Sequence, residues 1–181
     1  MPSTAERPQP LSERDYAPVP TPGTLPPDMV LQGVMSSWLQ EDDLWIPQTP
    51  TVSFKPIILS VSQGYFVNIL RVRQTGILSR HHHAGPVHAL VLRGRWHYLE
   101  HDWMAEEGAY VYEPPGDDHT LVVPEGTPEM MTWFHNTGGY TYLDQNGKAY
   151  AYEDVFTKLE MARRHYDRLG LPGDYIQRLI R

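Results

Sequence analysis

Apolar and polar positions alternate over short distances through most of the chain. From about residue 42, DLWIPQ, TVSFKPIILSV, GYFVNILRV, VHALVL, RWHYLEHD, AYVYEP, HTLVV and MMTWFHN are short, rich in β-branched and aromatic residues, and separated by Gly, Pro, Asp or Asn. Many short strands at regular spacing predict an all-β sandwich or barrel. LVLRGRWHYL reads as two strands joined at Arg93-Gly94. WMAEEGAYVYEPPGDDHTLVV repeats that pattern, with turns at Glu107-Gly108 and Pro115-Gly116-Asp117. No solenoid-type period is present. In residues 153–170 the period changes. Val155, Leu159, Ala162, Tyr166 and Leu169 fall at helical spacing, with Gly170 and Pro172 as stop signals. A second short helix is expected over DYIQRLIR.

Residues 1–28, MPSTAERPQPLSERDYAPVPTPGTLPPD, are Pro-rich and short of large aliphatics. Proline lacks an N–H and blocks both helix and ladder formation, so an extended or disordered arm is expected. The expected organisation is therefore an arm over 1–28, a barrel over 29–152, and a helical segment over 153–181 packed on the barrel.

Composition acts mainly by exclusion. With 181 residues, 40% of them hydrophobic, one domain with a real core is expected. The formal net charge of −7 offers no electrostatic footprint for nucleic acid or anionic lipid. No apolar run is long enough to cross a bilayer, and the first residues lack the pattern of a secretory signal. A cytoplasmic location is the default expectation. Zero cysteines excludes disulfides and thiolate ligands, so any metal must be held by His, carboxylate or backbone.

The chemistry concentrates in RHHHAGPVHALVLRGRWHYLEH, residues 80–101, which holds six of the nine histidines. The run is internal and flanked by strand-like sequence, unlike an expression tag. On a strand, side chains alternate, so His81 and His83 share one face and His82 takes the other. Two imidazoles aimed into a barrel from one face can share a metal ion. Downstream, the Pro-x-Gly turn in GAYVYEPPGDDHTLVV reverses the chain and can bring His119 to the same wall. His97 and His101 fall on the next predicted strand, where packing or surface roles are the simpler expectation.

These residues resemble the cupin superfamily. Its first motif runs Gly, His-x-His, three or four residues, Glu, six residues, Gly; Gly76, His81, His83 and Gly94 match, with one residue fewer before the histidine pair. Its second runs Gly-x5-Pro-x-Gly-x2-His-x3-Asn; Gly108, Pro114, Gly116 and His119 match, and Val123 stands at the Asn position. The resemblance implies a cupin jelly-roll β-barrel with short C-terminal helices, and a metal held by His81, His83 and His119. The first-motif glutamate is missing. Counting back from Gly94 puts Val87 in its place, and counting on from His83 puts His88 there; Val87 satisfies both spacing rules. His88 is then a neighbour of the metal, either behind the ligands or a fourth ligand. Three neutral imidazoles leave a divalent ion its full charge and favour an anionic chelating substrate.

A narrower resemblance covers most of the chain beyond the arm. DLWIPQ, FKPIILS, the His-x-His-x-Gly-Pro-Val-His segment, LRGRWHYLEHDW and DVFTKLEMARRHYDRLGLPGDYI are similar to the 2,4'-dihydroxyacetophenone dioxygenase family, cupins related to the ChrR-type domain. Acetylacetone-cleaving dioxygenase also uses a three-histidine cupin site. The resemblance implies a non-haem Fe(II) enzyme, with Zn, Mn or Ni as the other metals such a site takes. Its partners would be O2 and a small hydroxyketone or diketone, whose carbon–carbon bond is cleaved with both oxygen atoms incorporated. His88, Glu100, His101 and Glu113 are candidates for proton transfer. Trp96, Tyr98, Tyr110, Tyr112 and Trp133 are candidates for an aromatic-substrate pocket. A metal-dependent isomerase, lyase or hydrolase, or a non-catalytic ligand-sensing zinc cupin, can use the same scaffold. A homodimer or homotetramer is expected, because small cupins bury sheet edges against partners.

Overall fold

The computed structural model describes residues 17–18, 23 and 28–181. The arm expected at 1–28 lies almost wholly outside the described residues. The unit Gly33–Arg181 carries the fold. It opens with two 3-10 turns, Trp38–Gln40 and Asp42–Leu44. Of DLWIPQ, expected as a strand, only β1 (Ile46–Pro47) pairs. The long strands follow: β2 (Val52–Ser60), β3 (Tyr65–Val72), β4 (Gly76–His83) and β5 (Val87–Arg93). Then come β6 (Arg95–Tyr98), β7 (Ala105–Glu106), β8 (Tyr110–Glu113) and β9 (Asp118–Val123). The last strands are β10 (Met130–Thr137), β11 (Gly139–Leu143) and β12 (Ala149–Asp154).

These strands form two antiparallel sheets, ordered β1-β2-β3-β10-β5-β8 and β12-β11-β4-β9-β6-β7. This is the expected all-β jelly roll. Alternation along β5 separates inside from outside: Val87, Ala89 and Val91 are buried, while Leu90 is exposed. Their inner faces join Trp96, Tyr98, Leu121, Val123, Met130 and Phe134 in one core cluster. The Arg93-Gly94 turn forms as read from the sequence, with Gly94 at φ +73. A Cβ there would lie 2.4 Å from the Glu129 carbonyl oxygen, so glycine meets both the dihedral and the close approach.

The hairpin β11–β12 is absent from the strands read off the sequence. GYTYL and AYAYED carry tyrosines but few β-branched aliphatics, and all of β11 is half-buried. The C-terminal helix α1 (Val155–Arg168) follows β12 directly. Asp154 caps it by accepting from the Thr157 N–H at 2.8 Å, while Thr157 Oγ1 accepts from the Asp154 N–H at 2.8 Å. Val155, Leu159, Ala162 and Tyr166 pack with Ile46, Phe54, Leu59 and Phe66. Leu169, assigned to that stripe from periodicity, lies beyond the helix end and is exposed. The expected second helix is a single 3-10 turn, Ile176–Leu179, tied back by a bridge between Leu59 and Ile180. Among the described residues no helix is long and apolar enough to cross a membrane.

Candidate metal centre

His81 and His83 leave β4 on its inner face, as the period of two requires. His119 leaves β9 directly opposite His81, because the two residues are cross-strand partners. The three ring centroids lie 4.7–5.1 Å apart. Each residue offers a ligand nitrogen, and these nitrogens all fall within 4.8 Å of one another. His82, one residue out of phase, points away and meets Asp118 Oδ1 at 2.6 Å.

Burial pushes His81 well below the ordinary imidazole range, with further lowering from His83 and His119. It lowers His83 to about 3 and His119 to about 4. The rings are therefore neutral at ordinary pH, the form a metal takes. Neighbours orient them: Ser79 Oγ lies 3.2 Å from His81 Nδ1, and Asp117 Oδ2 lies 3.6 Å from His119 Nδ1. Tyr98 stacks face to face on His119, with centroids 3.7 Å apart and planes 7° apart. Trp96 and Trp103 pack edge-on against Tyr98.

A carboxylate joins the cluster. Glu113 is buried at the end of β8, with Oε2 3.5 Å from both His83 Nε2 and His119 Nε2. Tyr98 donates its hydroxyl to the other oxygen, Oε1, at 2.8 Å. Burial drives the Glu113 carboxyl up to about 7, although the Tyr98 hydrogen bond pulls the other way. Glu113 Oε2, His119 Nε2 and His83 Nδ1 are buried with no hydrogen-bond partner. Glu113 Oε2 and His119 Nε2 face each other unpaired at 3.5 Å, and buried polar atoms without partners are costly unless a ligand such as a cation lies between them. The residues therefore fit a divalent ion.

Glu113 also explains the missing first-motif glutamate. Val87, which stands in that position, is the direct cross-strand partner of Glu113. The carboxylate stands one strand away from the motif position, beside Val87 on the same inward face. The cluster thus contains a carboxylate, which the motif spacing alone did not place.

The other sequence candidates are distributed as follows. His88 is on the outer face of β5, bonded through Nδ1 to Tyr110 OH at 2.6 Å and stacked on His135, away from the cluster. Glu100 accepts the Thr120 N–H and hydroxyl, both at 2.7 Å, and so braces β9 beside His119. His101 stacks on Trp103, with Nε2 3.5 Å from Asp117 Oδ2. Of the proposed aromatic pocket, only Tyr98 lines the cavity next to the histidines. Trp96 is fully buried behind it, Tyr110 and Tyr112 are exposed on the outer sheet face, and Trp133 packs in a separate cluster with Trp45 and Ile69.

The cavity itself, of about 250 Å³, opens beside His81 and His83. Its aromatic wall comes from Phe66, Phe134, Tyr140, Tyr142 and Tyr150, which sequence reading did not select. Three of these belong to the unread β11–β12 hairpin, so their contribution was invisible until that hairpin was seen. Tyr140 stands 5.3 Å from the rings of both His81 and His83. Its hydroxyl bonds Glu153 Oε2, which also takes Lys158 Nζ, and Gln48 Nε2 donates to Glu153 Oε1 at 2.7 Å. Burial raises the Glu153 carboxyl, but Lys158 and these donors outweigh it and hold the group below the usual range. Lys158 sits on the buried face of α1, with its ammonium 4.2 Å from the Phe54 ring centroid.

Solved structures share this architecture. An RmlC-like cupin protein from Ralstonia eutropha JMP134 is 28% identical, over 71% of this chain and 84% of that one, with a TM-score of 0.68. An acetylacetone dioxygenase from Acinetobacter johnsonii is 15% identical over 83% of this chain and 99% of that one, at a TM-score of 0.64. A putative acetylacetone dioxygenase from Methylibium petroleiphilum PM1 is 18% identical over 70% and 93%, at 0.55. At these identities the two dioxygenases speak for the fold alone. No curated protein matches the chain in sequence. The model of the ChrR Cupin-like domain matches residues 38–141, more than half of the chain and all three histidines, and the chain therefore belongs to that cupin family.

Proposed function

We propose that the protein is an Fe(II)-dependent dioxygenase that cleaves a carbon–carbon bond of an aromatic hydroxyketone or a diketone with O2. The observation that carries this reading is the convergence of His81, His83 and His119, with Glu113 beside them, at the edge of an aromatic-lined cavity that His81 and His83 help to line. Its size suits one ring with short substituents: about 250 Å³, against roughly 150 Å³ for an engineered apolar cavity that holds benzene. The fold it shares with an acetylacetone dioxygenase over nearly all of that chain is one that accommodates such chemistry.

His81, His83 and His119 would hold the ion, which when bound supplies Lewis-acid activation of a chelating oxygen pair and electrons for O2. Glu113 takes the proton that the substrate hydroxyl gives up, at Oε2, while Tyr98 fixes Oε1. Tyr98 stacked on His119 keeps that ring from turning. Phe66, Phe134 and Tyr142 keep water from the bound ketone.

Oxygen-electrode traces with iron-loaded, tag-free protein and a panel of aromatic hydroxyketones and β-diketones test this directly. Uptake of one O2 per substrate is expected. A second reading, a non-catalytic zinc cupin, is favoured by Glu113, since three histidines and a carboxylate can close a four-coordinate shell. Zinc in the purified protein, and no uptake from the iron-loaded form, would establish it instead.

A further inference from the structure

The aromatic wall of the cavity differs in chemistry from side to side. On β3 and β10 its rings are Phe66 and Phe134, whereas on the β11–β12 hairpin they are Tyr140, Tyr142 and Tyr150. Either kind of ring excludes water, but a phenol gives up an electron to an oxidant derived from O2 far more readily than a benzene ring does. The three phenols also form a continuous line. Tyr140 stands 5.3 Å from the rings of His81 and His83, Tyr142 lies 5.3 Å from Tyr140, and Tyr150 stacks on Tyr142 at 5.9 Å and 25°. The period of two puts Tyr140 and Tyr142 on one face of β11. Tyr150 joins them through a bulge: Tyr142 pairs with Ala151 and Leu143 with Ala149, so Tyr150 is the extra residue and its ring turns onto Tyr142. Tyr140 and Tyr142 are half-buried, and Tyr150 is 67% exposed. The line therefore runs from the histidines to solvent. Tyr98, on the other side of the histidines, leads to Trp96, fully buried, and Trp103, partly buried.

We infer that Tyr140, Tyr142 and Tyr150 form a relay that carries an oxidising equivalent from the metal-binding histidines to the protein surface when O2 or peroxide is reduced there without a substrate to consume it. The inference rests on the reading that these histidines hold a redox-active ion. Electron transfer weakens steeply with the gap between donor and acceptor, so short steps between neighbouring rings outpace one long jump. Tyr140 gives up an electron toward the histidines, and its proton shifts to Glu153 Oε2, to which the hydroxyl already donates. Tyr142 refills Tyr140 and is refilled in turn by Tyr150, each proton returning with its electron. The net donor is Tyr150, whose phenolic proton goes to water and whose phenoxyl radical stays at the surface. Hydrogen peroxide takes up two electrons and two protons in becoming two molecules of water, so two such events consume one peroxide. Two Tyr150 radicals from separate molecules then join through the ring carbons beside their oxygens, giving dityrosine with no further oxidant. The relay spares the ligand histidines, which are otherwise the side chains nearest the oxidant.

Iron-loaded, tag-free protein of measured iron content is mixed with hydrogen peroxide in the absence of any ketone. Samples are freeze-quenched for electron paramagnetic resonance and mapped by mass spectrometry. A tyrosyl signal and dityrosine between two Tyr150 side chains are expected, with neither in zinc-loaded protein, because zinc has no redox chemistry. Tyr110 and Tyr112, 61% and 54% exposed but on the other sheet, should stay unmodified. Tyr150→Phe should lose the dityrosine. Tyr142→Phe, which keeps a ring of the same shape but breaks the line in the middle, should bring it down to the level of the zinc-loaded control. Should either variant fail to fold, the map of the unmodified protein decides. No tyrosyl signal, oxidation spread equally over Tyr110, Tyr112 and Tyr150, damage to His81 or Trp103 with Tyr150 intact, or an unchanged dityrosine yield in Tyr142→Phe overturns the inference. Selective oxidation of Tyr150 in a protein that takes up no O2 with any ketone removes the dioxygenase reading alone; uptake with Tyr150 untouched by peroxide removes the relay alone.

Discussion

Two carboxylates, Glu113 buried and Glu153 largely so, behave in opposite ways. Glu153 meets Lys158, Tyr140 and Gln48, so every charge at that end is answered from within the chain. Glu113 meets two imidazole nitrogens and one hydroxyl, and no cation of the protein's own. One carboxyl is held below its usual range and the other is raised to about 7. The Glu153 region is structural and complete. The Glu113 region is preorganised and lacks a positive charge, as expected where a metal belongs.

The largest effect should come from His119→Ala. Removing this ligand should lower metal affinity by more than about 100-fold, with activity lost in parallel. Elemental analysis of tag-free protein checks it, and full occupancy in the variant would abolish the contrast between the two regions. Next, Glu153→Gln strands the Lys158 ammonium and should cost about 3–5 kcal/mol, lowering Tm by roughly 10 °C in thermal melts. A change of less than about 2 °C would show that the pair is not the completed unit described above.

Glu113→Gln should move metal-free stability the other way. In the fold Glu113 keeps its proton up to about pH 7, whereas an unfolded glutamate releases it near 4.5, so the protein loses stability as pH rises across that interval. The Gln variant escapes this loss and should be more stable by about 3 kcal/mol at pH 8, with no gain near pH 4. Glu153, whose carboxyl is lowered, contributes stability above the unfolded value that is lost as pH falls through its folded value. Metal-loaded Glu113→Gln should instead show affinity reduced about 10–100-fold. Denaturant titrations at the two pH values, with and without metal, resolve all of these signs. The smallest effect belongs to His88→Gln, which should leave metal content and turnover within about twofold, because the ring faces outward.

The histidine arrangement was legible because two local rules sufficed: alternation placed His81 with His83, and the Pro-x-Gly turn brought back His119. Glu113 could be named as a candidate but not located, since its place depends on β8 pairing with β5 in register with Val87. That is a long-range fact with no local signature. His88 was ambiguous by a single residue, and in a strand one residue is the difference between cavity and outer face. Trp133, Tyr110 and Tyr112 were chosen for their chemistry, but a sheet has two sides and periodicity does not say which one encloses a ligand. Lys158 was unreadable for a related reason: a lysine beside an apolar helical stripe looks solvated until its partner, Glu153, is seen across the interface.

The stack of Tyr98 on His119, flanked by Trp96 and Trp103, means that the protein carries its own optical gauge. Light absorbed by the phenol can pass to either indole over these separations of 5.1 and 5.6 Å. Metallating or reorienting the imidazole beneath it should therefore change the emission of those two indoles, a label-free signal that a metal titration can read.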